Sequence, residues 1–234
     1  MIVYLESLPV PGKYWFYLVL AFLCLEMPAQ PPHNLPVNYY SVNDGLSYRM
    51  VTAITQDDRG FVWIGTRNGL NRFDGYEFLI FDADEEADYP LSESSIESLG
   101  HFRDGRLLIR YENNYTHFEL LDPVTFETEK VSLLPQDGIY GLVRAIALNR
   151  AGDIFVLSLT NEYTNLYRYA PAAGFELVAQ IPEAHHKWSA DVDLLPLDDG
   201  AFLLNDAEKG LRRLEKDGRI SRPYSLPSAA GERP

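Results

Sequence analysis

The chain has 234 residues, of which 46% are hydrophobic, so it can form a sizeable core and does not have the composition of a disordered protein. Its 34 Asp and Glu residues outnumber its 20 Lys and Arg residues, which gives a formal net charge of -14. A surface this acidic repels phosphate backbones and anionic lipid headgroups, so we predict no nucleic-acid partner.

An apolar run from Tyr14 to Leu25 follows Lys13 near the N-terminus. Its length suits the core of a signal peptide and is short for a membrane span. We therefore expect residues 1–30 to be an export signal, with an uncleaved N-terminal anchor as the alternative. Cleavage would remove Cys24, the single cysteine of the chain, and with it any disulfide or thiolate chemistry.

A four-strand pattern recurs along the rest of the chain. An apolar strand, a polar turn ending in glycine and a second apolar strand repeat around Gly60, Gly105, Gly152 and Gly200, with a third and a fourth strand after each. Four strands in a period of about 45 residues are typical of a β-propeller blade. The sequence therefore predicts an all-β protein with four four-stranded blades, at about residues 49–81, 95–131, 142–181 and 190–226, and a flexible tail at residues 227–234.

The first unit has the most informative residues. Side chains alternate along Phe61–Thr66, and both faces are largely apolar, which predicts a strand enclosed between neighbouring blades. Gly65, close to Trp63, is predicted to leave room for a large ring from the next blade. We interpret Asp57 and Asp58 as a solvated turn, in preference to a metal or acid–base pair, because aspartate favours turns by bonding to nearby backbone.

The first unit also resembles the two-component regulator propeller repeat. The matching positions are Ile54, Gln56-Asp57, Gly60, Trp63-Ile64-Gly65-Thr66, Gly69-Leu70 and Phe73-Asp74. The lead-in at residues 38–47 is similar to the start of the sensor regions of bacterial hybrid two-component histidine kinases. The resemblance covers residues 38–81, whereas the later units share only the glycine and the strand pattern.

This resemblance implies a function in signalling on the periplasmic or extracytoplasmic side of a bacterial inner membrane. Sensors of this family detect extracellular cues, often carbohydrate fragments, and relay them by rearranging a dimer. We therefore expect a ligand-binding sensor module without enzymatic activity, since any kinase activity would lie in a part absent from this chain. The expected partners are a carbohydrate or other small extracellular ligand, and further blades or a homodimer partner. Membrane contact is expected only through the N-terminal segment or through a C-terminal segment absent from this chain.

The number of blades in the intact assembly is open at this stage. Val37–Val42 is predicted to be a lone strand, of the kind that completes the last blade of a closed propeller. Unit four has its own predicted fourth strand at Ile220–Leu226, so the early strand has no vacancy to fill. This favours a partial, open propeller of a larger array, with a closed four-blade ring as the alternative.

Four aromatic residues near predicted loops are candidates for ligand binding: Tyr111, Tyr115, Tyr163 and Trp188. Aromatic rings can stack on the C–H faces of sugars, and the alternative is that these rings cap the core at the ends of the blades.

The inner strands supply few charged residues, namely Glu97, Arg144, Asp191 and Asp193. This set is too sparse to propose a reaction, and we expect no catalytic residue, metal or cofactor. His101 and His117 lie in strands without ligands at metal-like spacing, so we expect them to be structural. The alternatives to a sensor are a passive propeller scaffold for protein–protein interaction and a carbohydrate-active propeller enzyme.

Overall fold

The computed structural model describes residues 37–84, 86–135, 138–182, 192–206, 210–216 and 218–220. The chain divides into two compact units, residues 1–39 and residues 40–234. Of the first unit, only residues 37–39 are described, and they are exposed and have no regular structure. The predicted export signal and tail lie outside the described residues.

The described residues of the second unit form β-strands joined by turns, preceded by a short 3-10 helix at Val42–Asp44. Its all-β character, as predicted, is confirmed. The strands of the described residues are β1 (Val51–Gln56), β2 (Val62–Thr66), β3 (Gly69–Phe73), β4 (Phe78–Phe81), β5 (Ile96–His101), β6 (Leu107–Tyr111), β7 (His117–Leu121), β8 (Thr128–Ser132), β9 (Leu142–Leu148), β10 (Ile154–Leu159), β11 (Tyr163–Ala170), β12 (Gly174–Pro182), β13 (Val192–Pro196), β14 (Phe202–Asp206) and β15 (Gly210–Leu214).

Consecutive strands pair in antiparallel fashion into four sheets. Blades one, two and three have the orders β1-β2-β3-β4, β5-β6-β7-β8 and β9-β10-β11-β12, and blade four has the order β13-β14-β15. An antiparallel bridge between Leu214 and Ile220 follows β15, at the start of the predicted fourth strand. The rest of that strand lies outside the described residues. The four-blade β-propeller predicted from the repeat is confirmed.

Each pair of neighbouring blades shares a hydrophobic core. The three cores contain, among other residues, Trp63 with Ile96, Phe118 with Val156, and Leu157 with Leu204. They lie between blades one and two, two and three, and three and four. Within the described residues, no fourth core joins blade four to blade one. Stability therefore comes from the contact of each sheet with its neighbour along the chain.

The contact at Gly65 differs from the prediction. A Cβ at this position would lie 2.7 Å from Cγ2 of Ile96, which is fully buried in blade two. The side chain that occupies the space is therefore aliphatic, and the prediction of a large ring is wrong. The ring of Trp63 packs instead against Phe81, with 5.4 Å between ring centroids.

The segment before blade one is not the strand that the sequence predicts at residues 37–42. The carboxylate Oδ2 of Asp44 accepts a hydrogen bond from the backbone N–H of Ser41 at 2.8 Å, and Gly45 ends the 3-10 turn with φ of 106°. Such local side-chain bonds compete with a strand ladder. The ring of Tyr40 lies against Phe73 of blade one, with 4.8 Å between ring centroids.

Candidate functional site

A cavity of about 680 Å³ lies on blade three, and we refer to it as the blade-three cavity. The turn between β10 and β11, the outer strands β11 and β12, and the segment before β9 form its walls. The lining residues are Gly138, Tyr140, Thr160, Asn161, Glu162, Tyr163, Asn165, Tyr167, Phe175, Leu177 and Gln180.

The turn between β10 and β11 places Tyr163 at the edge of this cavity. The hydroxyl of Thr160 accepts hydrogen bonds from the backbone N–H groups of Glu162 at 3.2 Å and Tyr163 at 2.8 Å. Threonine suits this position because its hydroxyl can bond to backbone groups two or three residues ahead. These two hydrogen bonds to Thr160 therefore set the direction in which β11 begins. They also fix the position of Tyr163, its first residue.

A polar network connects the walls of the blade-three cavity. The side-chain amide of Gln180 donates to Oδ1 of Asn165 at 3.0 Å, across the β11–β12 pair. The backbone N–H of Tyr140 donates to the hydroxyl of Tyr167 at 3.4 Å, and the hydroxyl of Ser158 donates to the carbonyl of Tyr140 at 2.6 Å. These bonds hold amide and phenol groups in fixed positions beside aromatic rings, an arrangement suited to a polar ligand with apolar faces.

A second cavity, of about 170 Å³, lies where the inner strands of blades two, three and four approach one another. We refer to it as the channel cavity. Its lining residues are Glu97, Arg110, Tyr115, Arg144, Ala145, Ile146, Val192, Asp193 and Leu194.

The hydrogen bonds beside the channel cavity lie both within blades and between blades two and three. Nη2 of Arg110 donates to Oε2 of Glu97 at 2.9 Å, and Nη1 of the same residue donates to the backbone carbonyl of Ile146 in blade three at 3.0 Å. On blade four, the amide of Asn205 donates to Oδ2 of Asp193 at 3.2 Å. Both carboxylates therefore point to a region where charged groups of three blades meet.

The four aromatic candidates from the sequence lie in different places. Tyr163 lines the blade-three cavity, and Tyr115 lines the channel cavity. Tyr111 is fully buried between blades one and two, and its hydroxyl donates a hydrogen bond to Glu119. Burial and the Glu119 carboxylate raise the pKa of this hydroxyl, which a ligand cannot reach without opening the core. Trp188 lies outside the described residues.

The charged residues of the inner strands converge more closely than their sequence spacing indicates. Glu97, Arg144 and Asp193 line one cavity, and Asp191 lies outside the described residues. Sequence reasoning missed Arg110, because it lies on the second strand of its blade, β6. It also missed Tyr140, Asn165 and Gln180, which are separated by 15 residues or more and carry no motif.

Both histidines considered as metal ligands make hydrogen bonds between or within blades. Nε2 of His101 lies 2.8 Å from the hydroxyl of Thr55 in blade one, and Nδ1 of His117 lies 3.1 Å from the amide of Asn114. Across the residues that the structure describes, no group of three His, Cys, Asp or Glu side chains could hold a metal ion. In that same part of the chain, no helix has both the length and the apolar character needed to cross a bilayer.

Known proteins similar to this chain include a histidine kinase and two proteins of solved structure. Histidine kinase P4 of Formosa agariphila is 41% identical over 64 residues, which are 27% of this chain and 5% of the kinase. The extracellular domain of a protein assigned to the hybrid two component systems of B. thetaiotaomicron is 20% identical, with a TM-score of 0.60 over 79% of this chain and 26% of that domain. Virginiamycin B lyase from Staphylococcus aureus is 18% identical, with a TM-score of 0.52 over 77% of this chain and 57% of the lyase.

At these identities, the two solved structures show a shared fold and no more. The chain also spans only a small share of the kinase and about a quarter of the extracellular domain. The family model for the two component regulator propeller matches residues 45–68, which extend from the lead-in through β1 and β2. The resemblance seen in the sequence is thus confirmed: the first blade of this chain carries a two component regulator propeller repeat.

Proposed function

We propose that this chain is a non-catalytic, ligand-binding sensor module of a two-component signalling protein, located on the extracytoplasmic side of the membrane. The repeat in blade one and the fold shared with the extracellular domain from B. thetaiotaomicron support the signalling context and the location. The observation that carries ligand binding is the blade-three cavity, whose lining combines three tyrosines with the hydrogen-bonded side-chain amides of Asn165 and Gln180.

A carbohydrate fits the chemistry of this cavity best. The ring of Tyr163 at the edge offers a surface for the C–H face of a sugar, and the network of Asn165 and Gln180 offers donors and acceptors for hydroxyl groups. The volume of about 680 Å³ is in the usual range for small-ligand sites and has room for more than one sugar ring.

Calorimetric titration of the full chain with neutral oligosaccharides tests this proposal. We expect saturable heat, and we expect Tyr163→Ala to weaken binding by about tenfold or more, since a lost contact of about 1.4 kcal/mol corresponds to that factor. The control is Tyr76→Ala, which removes a tyrosine ring that is 93% exposed. Tyr76 belongs to blade one and does not line the blade-three cavity. Absence of saturable heat across a broad oligosaccharide panel, or equal loss in both variants, would refute the proposal.

A passive scaffold is the second candidate function, because apolar side chains are exposed on the outward faces of the first and last blades. Ile54 on β1 is 66% exposed, and Leu195 on β13 is 57% exposed. Further blades, a second copy of the chain or another protein would cover such faces. Sedimentation of the full chain and of Leu195→Glu tests this. A scaffold predicts an assembly that Leu195→Glu dissociates, together with no response to oligosaccharides.

A carbohydrate-active or lyase-type enzyme has less support. The likeness to virginiamycin B lyase concerns the fold alone, at 18% identity. Glycoside hydrolysis requires a pair of carboxyl groups, and the two that line the channel cavity, Glu97 and Asp193, already accept hydrogen bonds from Arg110 and Asn205.

A further inference from the structure

Three of the four inner strands share an irregularity at one position. The register of strand pairing shifts at Thr52 in β1, at Glu97 in β5 and at Arg144 in β9, and each of these residues has no partner in the neighbouring strand. The corresponding residue of β13 is Asp193, which does pair regularly, with Asn205. These four residues each follow the first apolar residue of the repeated inner-strand motif, in VTAI, IESL, VRAI and VDLL.

Such bulges redirect a side chain relative to a regular strand and are common beside functional sites. Here the redirected side chains of Glu97 and Arg144 line the channel cavity, together with Asp193 from the same position of blade four. Apolar residues would be expected at this repeated position if it faced the core. It is occupied instead by polar or charged residues, namely Thr52, Glu97, Arg144 and Asp193. The irregularity therefore brings together charged groups from blades two and three, and the regularly paired Asp193 of blade four lines the same cavity.

The two arginines of the cavity differ in their partners. The guanidinium of Arg110 is bound by Glu97 and by the carbonyl of Ile146. Within the described part of the chain, Arg144 makes no hydrogen bond and no ion pair, and its Nε is buried. A partly buried guanidinium without a partner is unusual, because desolvation of a charge is normally offset by bonding to an anion.

We propose that the channel cavity is a binding site for a small hydroxylated carboxylate, with Arg144 as the residue that binds the carboxylate group. The planar guanidinium donates two parallel N–H···O bonds to a carboxylate, which a lysine cannot do. The carboxylates of Glu97 and Asp193 accept hydrogen bonds from ligand hydroxyls, and the half-exposed ring of Tyr115 lies beside the cavity to contact the carbon chain.

Charge sets this site apart from the blade-three cavity. The chain has a net charge of -14, so an anion is repelled from most of its surface and needs a specific cation to bind. The volume of about 170 Å³ restricts the ligand to a small molecule, whereas the blade-three cavity accepts a larger, neutral one. The two sites therefore require different ligands and can be tested independently.

The experiment compares D-gluconate with D-glucitol, two polyols that differ at one end by a carboxylate in place of a hydroxymethyl group. Calorimetric titration of the full chain at low salt should give saturable heat with gluconate and none with glucitol. Arg144→Gln should weaken gluconate binding by about tenfold or more, because the charge-assisted bidentate bond is lost. Arg144→Lys should also bind more weakly than the unchanged chain, since lysine keeps the charge and loses the second parallel bond.

The matched control is Arg150→Gln, the same substitution six residues away at a side chain that is 87% exposed and paired with Asp198. It should leave gluconate binding unchanged. Circular dichroism and thermal melting of each variant verify that it is folded. No saturable heat with gluconate, equal affinity for glucitol, or unchanged affinity in folded Arg144→Gln and Arg144→Lys would each overturn the proposal. None of these outcomes depends on whether oligosaccharides bind to blade three.

Discussion

The indole Nε1 of Trp63 donates a hydrogen bond to Oδ2 of Asp57 at 2.9 Å, and both side chains are buried. The other carboxylate oxygen of Asp57 accepts from the backbone N–H groups of Arg59 and Phe61, each at 3.0 Å. One carboxylate thus closes the hairpin between β1 and β2 and fixes the tryptophan in the core between blades one and two. This bond gives a physical reason for an aspartate six residues before the tryptophan of the repeat.

Replacing Asp57 should destabilise the protein markedly. Asp57→Ala removes the acceptor of three hydrogen bonds and leaves the buried Nε1 of Trp63 unpaired, so we expect a loss of about 2–4 kcal/mol in the free energy of unfolding. Urea denaturation followed by tryptophan fluorescence measures it. The neighbouring Asp58 is exposed, and Asp58→Ala should change stability by no more than about 0.5 kcal/mol. Equal effects at both positions would contradict the role given to the Asp57–Trp63 bond.

A methyl group at Gly65 should disturb the interface between blades one and two. The added Cβ would lie 2.7 Å from Cγ2 of Ile96, so Gly65→Ala should cost about 1–3 kcal/mol through overpacking. In a double-mutant cycle, Ile96→Ala removes the clashing group, and the double variant should be more stable than the sum of the two single losses predicts. Strict additivity in urea denaturation would show that the two positions do not contact each other.

The hydroxyl of Tyr111 should contribute to stability through Glu119. Glu119 is buried and also accepts a hydrogen bond from the backbone N–H of Ser92, in the connection from blade one to blade two, at 3.1 Å. Tyr111→Phe removes a bond to a charged group and should cost about 1.5–3 kcal/mol. Tyr115→Phe, at a ring that is 39% exposed, should be within about 0.5 kcal/mol of the unchanged chain by the same measurement. If Tyr111→Phe left the free energy of unfolding unchanged, the hydrogen bond from Tyr111 to Glu119 would not contribute to stability.

Stability should fall as the pH drops below about 6.5, partly because of His117. Burial, with a contribution from Lys130, lowers the pKa of His117 below its ordinary value of 6.5. The unfolded chain therefore binds this proton more readily than the folded chain, and protonation favours unfolding. Above the pKa of the unfolded chain, His117 is neutral in both states and causes no loss of stability. The loss of stability grows as the pH falls from 6.5 through the pKa of the folded chain.

Urea denaturation at pH 8 and at pH 5.5 measures this effect, in a range where most carboxylates remain ionised. We expect His117→Gln to lose less stability between the two pH values than the unchanged chain does. Glu93 and Glu119 oppose the shift in the pKa of His117, and both side chains are retained in His117→Gln. An equal loss in both proteins would assign the pH dependence to other groups.

Much of the fold followed from local features of the sequence. The period of about 45 residues, the alternation of apolar residues and the turn glycines predicted the strands and their antiparallel order. Gly60, for example, has φ of 89° at the hairpin after Asp57, a conformation that glycine adopts without strain. Strand pairing between neighbours in the chain depends on such short-range patterns, which explains why it could be predicted.

Contacts between blades could not be predicted in the same way. The sequence placed Gly65 at a close approach but did not identify Ile96 as its neighbour, because which side chain fills a gap depends on how two sheets meet. Asp57 was expected to be solvated, yet it is 6% exposed. The turn at Asp57 depends on residues next to it in the sequence and could be predicted. The burial of Asp57 depends on the ring of Trp63 and on the blade that covers both residues.

The sequence alone established that this protein is a succession of β-sheets with a two component regulator propeller repeat at its start, because hydrophobic period and turn chemistry act over a few residues. Only the tertiary structure decided which side chains share a cavity. Glu97, Arg144 and Asp193 are separated by more than 45 residues along the chain, and the stacking of blades brings them together. Tyr163 and Gln180 meet because β11 and β12 pair in one particular register, which sets the partners of each side chain.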